Sequence, residues 1–380
     1  MKIYYWSPHT SHIATIKAVY NSALSLIKYG RGKYDVTIIN ANGEWDKQNS
    51  NRDIKYVNLS KKIYLNTYPV EGYLRSRLSY LYIFFKCFFS LKKLIGKDKP
   101  DFLFIHLITI LPLFLLIFFK FDTKFILRIS GYPKLNILRK FFWKWVSKKL
   151  YLVTTPTEGT FDYIKSQNIF DDKKIFLLRD PVFLTKDLLL KREILEENFS
   201  KNNKYIISVG RLTYQKNFSL LIEAFADLVK LYKNYKLIIL GEGEQRYFLE
   251  KLISKYNLKD HVFLLGFKKN VLKYINIAEC SISSSLWEDP GFFLIESGLL
   301  NKSIISSDCP NSPKELLMNG LCGYLFKNNS KDDLVKKFIS YKSDSIDIVN
   351  KKIFLAKKNF KKFSFFNHYL GIKKIIGVND

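Results

Sequence analysis

Short apolar runs bounded by polar turns alternate with longer helix-like stretches from one end of the chain to the other. A parallel sheet demands this pattern. Each strand is reached through a crossover and is covered on both faces, so it reads as a continuous apolar run rather than an alternating one. In the first half the runs fall at 2–6, 35–39, 54–57, 101–105, 124–129, 150–154 and 174–178. In the second they fall at 205–209, 236–240, 262–265, 280–284, 303–306 and 324–326. A charged, Asn-containing stretch at 191–204 separates the halves and is the expected linker. At roughly 100–200 residues per domain, 380 residues suit two such domains or one large α/β unit. The fold class is therefore expected to be α/β: a first domain over 1–190, a second over 191–350, and a basic, amphipathic helical segment over 351–380 that crosses back to the first. Open parallel sheets hold ligands at the carboxyl ends of their strands, so the loops after the strands are expected to carry the chemistry.

Only one segment competes with this reading. Residues 102–119, FLFIHLITILPLFLLIFF, carry no formal charge and reach the lower edge of a membrane-spanning length. A strand ending near His106, a turn and a short packed helix account for the same residues, and the Pro-Asp entry to the run favours that division. Four cysteines lie far apart with no CxxC spacing, which supports neither a zinc ribbon nor a disulfide framework. The opening MKIYYWSPHTSH lacks the arrangement of a secretory signal and reads as a first strand, so a reducing cytoplasm is the expected setting. With 47% hydrophobic residues, collagen-like and disordered readings fall away. Lys and Arg number 62 against 34 Asp and Glu, a surplus of 28 that asks for an anionic partner: a phosphate-bearing ligand, acidic lipid or nucleic acid.

Three loops of the second half hold the informative residues. In SVGRLTYQKNFSLLIEAF, Gly210 allows a tight turn out of the strand, and Arg211 and Lys216 place two cations beside a helix N-terminus, a combination suited to a diphosphate. In LIILGEGEQR, Gly241 and Gly243 permit close backbone approach and Arg246 opens the next helix, and all three are candidates to meet the donor. No complete phosphate-loop or dinucleotide fingerprint is present. In SSSLWEDPGFFLIESG, Glu288 lies in a Ser-rich loop, and Pro290 and Gly291 break the chain before an apolar helix. Glu296 falls eight positions on, on the same helix face to within a fraction of a turn, so that two carboxylates face one ligand. Carboxylates suit sugar hydroxyls because they accept two hydrogen bonds at once.

The ordered set GRLxxQKN, GEGxxR and EDPGFFLIE resembles the retaining glycosyltransferases of family 4. The resemblance is strong over 205–326 and weaker in the first half. It implies a GT-B fold, two Rossmann-like domains with a cleft between them, and transfer of a sugar from a nucleotide-sugar donor. By position it implies that Arg211 and Lys216 hold the donor diphosphate, that Glu296 takes the ribose hydroxyls and that Glu288 meets the transferred sugar. The backbone around Phe267 and Lys268 would face the base, and Gly291 and Phe292 would turn backbone N–H groups toward sugar and phosphate. With no Asp-x-Asp motif beside these loops, the two cations would stand in for a metal, so metal-independent transfer with no other cofactor is expected.

The first half departs from the family pattern. Where a Gly-rich loop is usual, the chain reads SPHTSHIATIKAV, so His9, Thr10, Ser11 and His12 are the candidates to meet an acceptor. Where a histidine often contacts the donor sugar, ILRISGYPK places Ser130 as its substitute, with Arg128 close by as a further acceptor candidate. His106 ends the preceding strand, either as an acceptor contact or as a satisfied buried histidine. Two stretches, 73–97 and 139–149, interleave Lys and Arg with aromatics. They read either as amphipathic helices with aromatic core faces or as surfaces for an anionic membrane. The latter suits a peripheral enzyme of the inner membrane face that extends a lipid-linked glycan in bacterial surface-polysaccharide synthesis. A nucleotide-sugar epimerase of the same fold and a basic nucleic-acid-binding protein are the alternatives. The second is disfavoured because no nucleic-acid motif occurs and the basic stretches carry more apolar bulk than a phosphate-tracking groove needs.

Overall fold

A computed structural model describes residues 1–9, 14–46, 54–59, 73–131, 133, 135–186, 188, 193, 195, 199–200 and 202–377. The chain forms two compact units, Met1–Pro181 with Phe365–Asp380 and Val182–Ser364.

In the first unit, strands β1 (Lys2–Trp6), β2 (Asp35–Asn40), β3 (Lys55–Asn58), β4 (Phe102–Ile105), β5 (Lys124–Arg128), β6 (Leu152–Thr155) and β7 (Ile175–Leu177) form one sheet in the order β3-β2-β1-β4-β5-β6-β7. Every pairing is parallel. Helices α1 (Ala14–Tyr29), α2 (Tyr73–Asp98), α3 (Ile110–Phe118), α4 (Ile137–Ser147) and α5 (Glu158–Ser166) supply crossovers. Because strand side chains alternate between faces, β1 sends Tyr4 and Trp6 into one core and Ile3 and Tyr5 into another. Local chemistry sets the helix starts: the Asn136 side chain accepts from Arg139 N–H (2.8 Å) to open α4, and Thr157 accepts from Thr160 N–H (3.3 Å) to open α5. The apolar run at 102–119 divides into β4 and α3, with Pro112 in the first turn of the helix, where its missing N–H has no helical role. Among the described residues no helix is long and apolar enough to cross a membrane.

The second unit repeats the scheme with β8 (Lys204–Val209), β9 (Tyr235–Leu240), β10 (Val262–Leu264), β11 (Cys280–Ser283), β12 (Ser303–Ser307) and β13 (Tyr324–Phe326), ordered β10-β9-β8-β11-β12-β13 and parallel throughout. Its helices are α6 (Phe218–Leu231), α7 (Arg246–Lys255), α8 (Leu272–Ile277), α9 (Phe292–Leu299), α10 (Ser312–Leu316), α11 (Lys331–Ser343) and α12 (Ile346–Phe360). A Cβ at Gly298 would lie 2.3 Å from the Phe360 ring, so the missing side chain is what lets α12 seat on α9.

The last helix, α13 (Phe365–Ile375), returns to the first unit and packs against α1. His368 anchors it. Its Nδ1–H donates to the Arg179 carbonyl (2.6 Å), and its Nε2 accepts from Ser22 Oγ (2.7 Å), which in turn accepts from Tyr5 Oη (2.8 Å). The divisions thus fall at Pro181 and Ser364 rather than at 190 and 350: α12 stays with the second unit, and only the segment from Phe365 returns. Half of the expected linker at 191–204 lies outside the described residues.

Candidate functional site

The strand order of the second unit reverses between β8 and β11, and at such a switch point the two loops diverge and leave room for a ligand above the carboxyl ends of the strands. The loop after β8 runs from Gly210 through a 3₁₀ turn at Tyr214–Lys216 and enters α6 through Asn217, which is left-handed at φ 49°. The loop after β11 carries the serine run and Glu288. Lys216 Nζ lies 2.5 Å from Glu288 Oε2, with side-chain exposures of 19% and 11%. The two strands that flank the switch point therefore each contribute one member of a half-buried ion pair.

That pair is held on every side. Ser285 Oγ donates to the same Glu288 oxygen (2.9 Å), while Ser312 donates to the Glu288 carbonyl through Oγ (3.1 Å) and N–H (3.2 Å). Ser284 Oγ donates to the Lys216 carbonyl (2.9 Å), and Gln215 Nε2 to the Trp287 carbonyl (2.9 Å). Leu286 N–H closes the lacing by donating to the Gln215 carbonyl (2.8 Å). Sequence reasoning passed over Ser285, Ser312 and Gln215; only the run of serines before Glu288 hinted at them. Arg211 is exposed and pairs with no described carboxylate, so the loop offers one anchored and one unclaimed cation.

The glycines next to these loops serve packing. A Cβ at Gly241, whose φ is 144°, would lie 1.8 Å from the Gly210 carbonyl oxygen, and one at Gly243 would lie 2.4 Å from that of Leu212. Backbone hydrogen bonds from Leu212 N–H to Glu242 O (2.9 Å) and from Gly241 N–H to Gly266 O (2.8 Å) tie the loops after β8, β9 and β10 together. The close approach expected of Gly241 and Gly243 is thus toward neighbouring backbone. Arg246, expected among the donor contacts, is instead flanked by Glu242 (2.7 Å) and Glu250 (2.9 Å) and also donates to the Leu264 carbonyl (3.1 Å). Phe267, on the loop after β10, is exposed, and Lys268 Nζ sits 5.6 Å from the Tyr274 ring centre.

The expectation that Glu288 and Glu296 share a helix face is corrected. Glu288 lies in the loop, α9 begins only at Phe292, and Gly291, left-handed at φ 82°, turns the chain between them. A Cβ at Gly291 would come within 2.8 Å of Glu288 Cγ, so glycine is required for the two to lie so close. Phe292 and Glu296 are both buried on α9.

In the first unit the acceptor candidates separate. Arg128, expected to meet an acceptor, is 2% exposed; its guanidinium is taken up by Asp180 and by the Leu178 carbonyl (2.5 Å), so it is a structural cation of the interior. Burial pushes the Asp180 carboxyl above its ordinary range, with Arg128 opposing the shift. His106 ends β4 as a buried residue with Nδ1 3.5 Å from Ser130 Oγ, and burial first, then Arg128 and His368, hold its ring well below the usual histidine range. His9 is half-buried, with Nδ1 3.3 Å from the Ser7 carbonyl and its ring edge-on to Trp45 at 4.9 Å. Thr10, Ser11 and His12 lie outside the described residues.

Residues 191–358 match the model of the family described as glycosyl transferases group 1, a stretch that takes in the Lys216–Glu288 pair. An uncharacterized glycosyltransferase of Methanocaldococcus jannaschii is 34% identical over 250 residues, 60% of this chain and 61% of that protein. The N-acetylgalactosamine-N,N'-diacetylbacillosaminyl-diphospho-undecaprenol 4-alpha-N-acetylgalactosaminyltransferase of Campylobacter jejuni is 29% identical over 199 residues, 52% of this chain and 53% of that protein. The chain spans between about half and six-tenths of the length of these curated relatives. Across the whole chain, the crystal structure of Anabaena HepE in complex with UDP and glucose aligns with a TM-score of 0.73 at 13% identity, covering 100% of this chain and 99% of that one. The fold is GT-B. The group 1 glycosyltransferase pattern lies on its second unit.

Proposed function

We propose that the chain is a glycosyltransferase that moves a sugar, with retention and without a metal, from a nucleotide-sugar donor to a lipid-linked glycan. Its setting is bacterial surface-polysaccharide synthesis at the inner membrane face. The observation that carries the reading is the Lys216–Glu288 pair at the switch point of a unit whose sequence matches group 1 glycosyl transferases. Relatives named for undecaprenol-linked substrates support the acceptor class.

Breaking a glycosyl–phosphate bond leaves negative charge on the diphosphate and positive charge on the sugar ring. In this reading exposed Arg211 and half-buried Lys216 offset the first. A diphosphate arriving at Lys216 competes with Glu288 for the ammonium, and Ser285 then continues to hold the carboxylate at its position. Glu288 so held faces hydroxyls of the transferred sugar, Glu296 takes the ribose, and the backbone at Phe267 and Lys268 meets the base.

A thermal-shift screen with UDP, GDP, ADP and CDP and their sugars, in EDTA, tests this. A specific ligand at 100 times its Kd stabilises by about 2.7 kcal/mol. One nucleotide is expected to raise the midpoint of the wild type, and Arg211→Ala and Glu296→Ala to lose that rise. If no nucleotide shifts the wild type, or if the variants respond like it, the donor assignment fails; turnover of the sugar nucleotide without an acceptor would identify an epimerase instead.

A further inference from the structure

Helices α2, α3 and α4 lie against one another on the first unit and leave large apolar side chains in water. Phe85 is 71% exposed, Phe89 77%, Phe118 53%, Ile137 85%, Phe141 74% and Trp145 51%. The core does not need them: α2 already buries Ile83, Cys87 and Leu91, and α4 buries Trp143 and Val146. The rings form one continuous surface. Phe85 meets Phe84 (5.4 Å), Phe84 meets Phe114 (5.5 Å), Phe114 meets Phe118 (4.4 Å) and Phe118 meets Trp145 (5.6 Å), so the seam runs from α2 through α3 to α4. A contiguous exposed apolar patch on this scale marks an interaction site.

Its charge selects the partner. Between positions 73 and 157 the sequence holds only three carboxylates, Asp98, Asp101 and Asp122. All three are engaged elsewhere: Asp98 accepts from Tyr4 Oη (2.9 Å), Asp101 from Lys2 N–H (2.7 Å), and Asp122 pairs with Lys99 (3.1 Å). Exposed Lys93, Lys120, Arg139, Lys140, Lys144 and Lys148 accompany the aromatics. Polyanions such as nucleic acid have no use for the apolar seam, and an apolar protein partner has none for the cations. A bilayer carrying acidic lipid uses both, because aromatic side chains enter its interface while lysines reach the phosphates.

We infer that the α2–α3–α4 face docks on an anionic lipid bilayer, with Phe85, Phe89, Phe141 and Trp145 entering the interface and Lys140 and Lys144 meeting lipid phosphates. This rests on the lipid-linked-acceptor reading for its place in the reaction, while its residues lie outside the donor loops.

Co-sedimentation of the full chain with vesicles of phosphatidylglycerol and phosphatidylcholine, against phosphatidylcholine alone, tests the inference. Binding is expected on the acidic vesicles and at least about tenfold weaker on neutral ones or in high salt. The pairs Phe85→Ser/Phe89→Ser and Phe141→Ser/Trp145→Ser should each weaken it, and Lys140→Glu/Lys144→Glu should remove the preference for acidic lipid. All three variants should keep the wild-type circular dichroism and any nucleotide-induced thermal shift. A wild type that stays in the supernatant overturns the docking inference, as does binding indifferent to the variants. A concentration-dependent dimer that the aromatic variants dissolve also overturns it, because a second copy would then be the occupant. Loss of the nucleotide shift with vesicle binding intact sinks the donor reading alone.

Discussion

At the scale of single residues, the chain keeps two kinds of charge. Lys216 and Glu288 are partnered in the loops beyond the strand ends, with Lys216 19% exposed, whereas Arg128 and Asp180 are partnered in the interior, with Arg128 2% exposed. Beside the second pair lie two buried histidines, and His368 is the cleaner titration probe because both of its ring nitrogens have an assigned partner. Burial lowers its pKa from 6.5 to about 3, opposed by the bond to Arg179 and assisted by Arg128. The folded ring therefore stays neutral where the unfolded ring binds a proton. Its contribution is fully present above the unfolded pKa of about 6.5 and is lost as pH falls toward 3, by up to about 1.4 kcal/mol per pH unit. His106 adds the same sign, while Asp180, shifted up, gives the opposite slope over its own window. Urea unfolding of the first unit at pH 7 and pH 4.5 should show this loss, and His368→Asn, which cannot charge, should reduce it. Equal losses in both proteins would remove His368 from the account.

At the scale of elements, the loops after β8, β9 and β10 act as one laced layer, and Gly241 is its tightest point. Gly241→Ala drives a methyl into the Gly210 carbonyl and adds an unfavourable φ. It should cost at least about 2 kcal/mol and blunt nucleotide binding. Gly32→Ala, with a φ of 76° but no atom within 4 Å, should cost about 1 kcal/mol, from backbone strain alone. Equal midpoints for the two variants would show that the lacing carries no strain. Elements of this kind also mark how far the sequence can be read. Every strand was legible: the central ones, covered on both faces, write their burial into consecutive residues, and the edge strand β3, half-buried or exposed throughout, follows from its place in the alternation. The loops that carry Lys216 and Glu288 were legible because they follow those strands directly; that the two side chains pair with each other was not. The fate of Arg128 was not, since its partner Asp180 is 52 positions away and nothing local announces it. The i, i+8 argument for Glu288 and Glu296 failed for the reverse reason: it carried a helical spacing across Pro290 and Gly291, where the backbone turns left-handed.

At the scale of the molecule, each unit has its own sheet and its own buried clusters. Calorimetry should therefore resolve two transitions, one lowered by acid and indifferent to the preferred nucleotide, the other raised by it. A single transition moved by both treatments would contradict this separation. The return of α13 has another consequence, which concerns synthesis. The first sheet is complete once residue 177 has emerged, yet the helix that covers one of its faces begins at residue 365. At 5–20 residues per second, roughly 10 to 40 s pass between the two. Through that interval a nascent chain carries an unfinished first unit, and the second, which ends at Ser364, is complete before the closing helix has emerged. The first unit is thus the later of the two to reach its final form, and its half-covered sheet is the natural client for a chaperone at the ribosome.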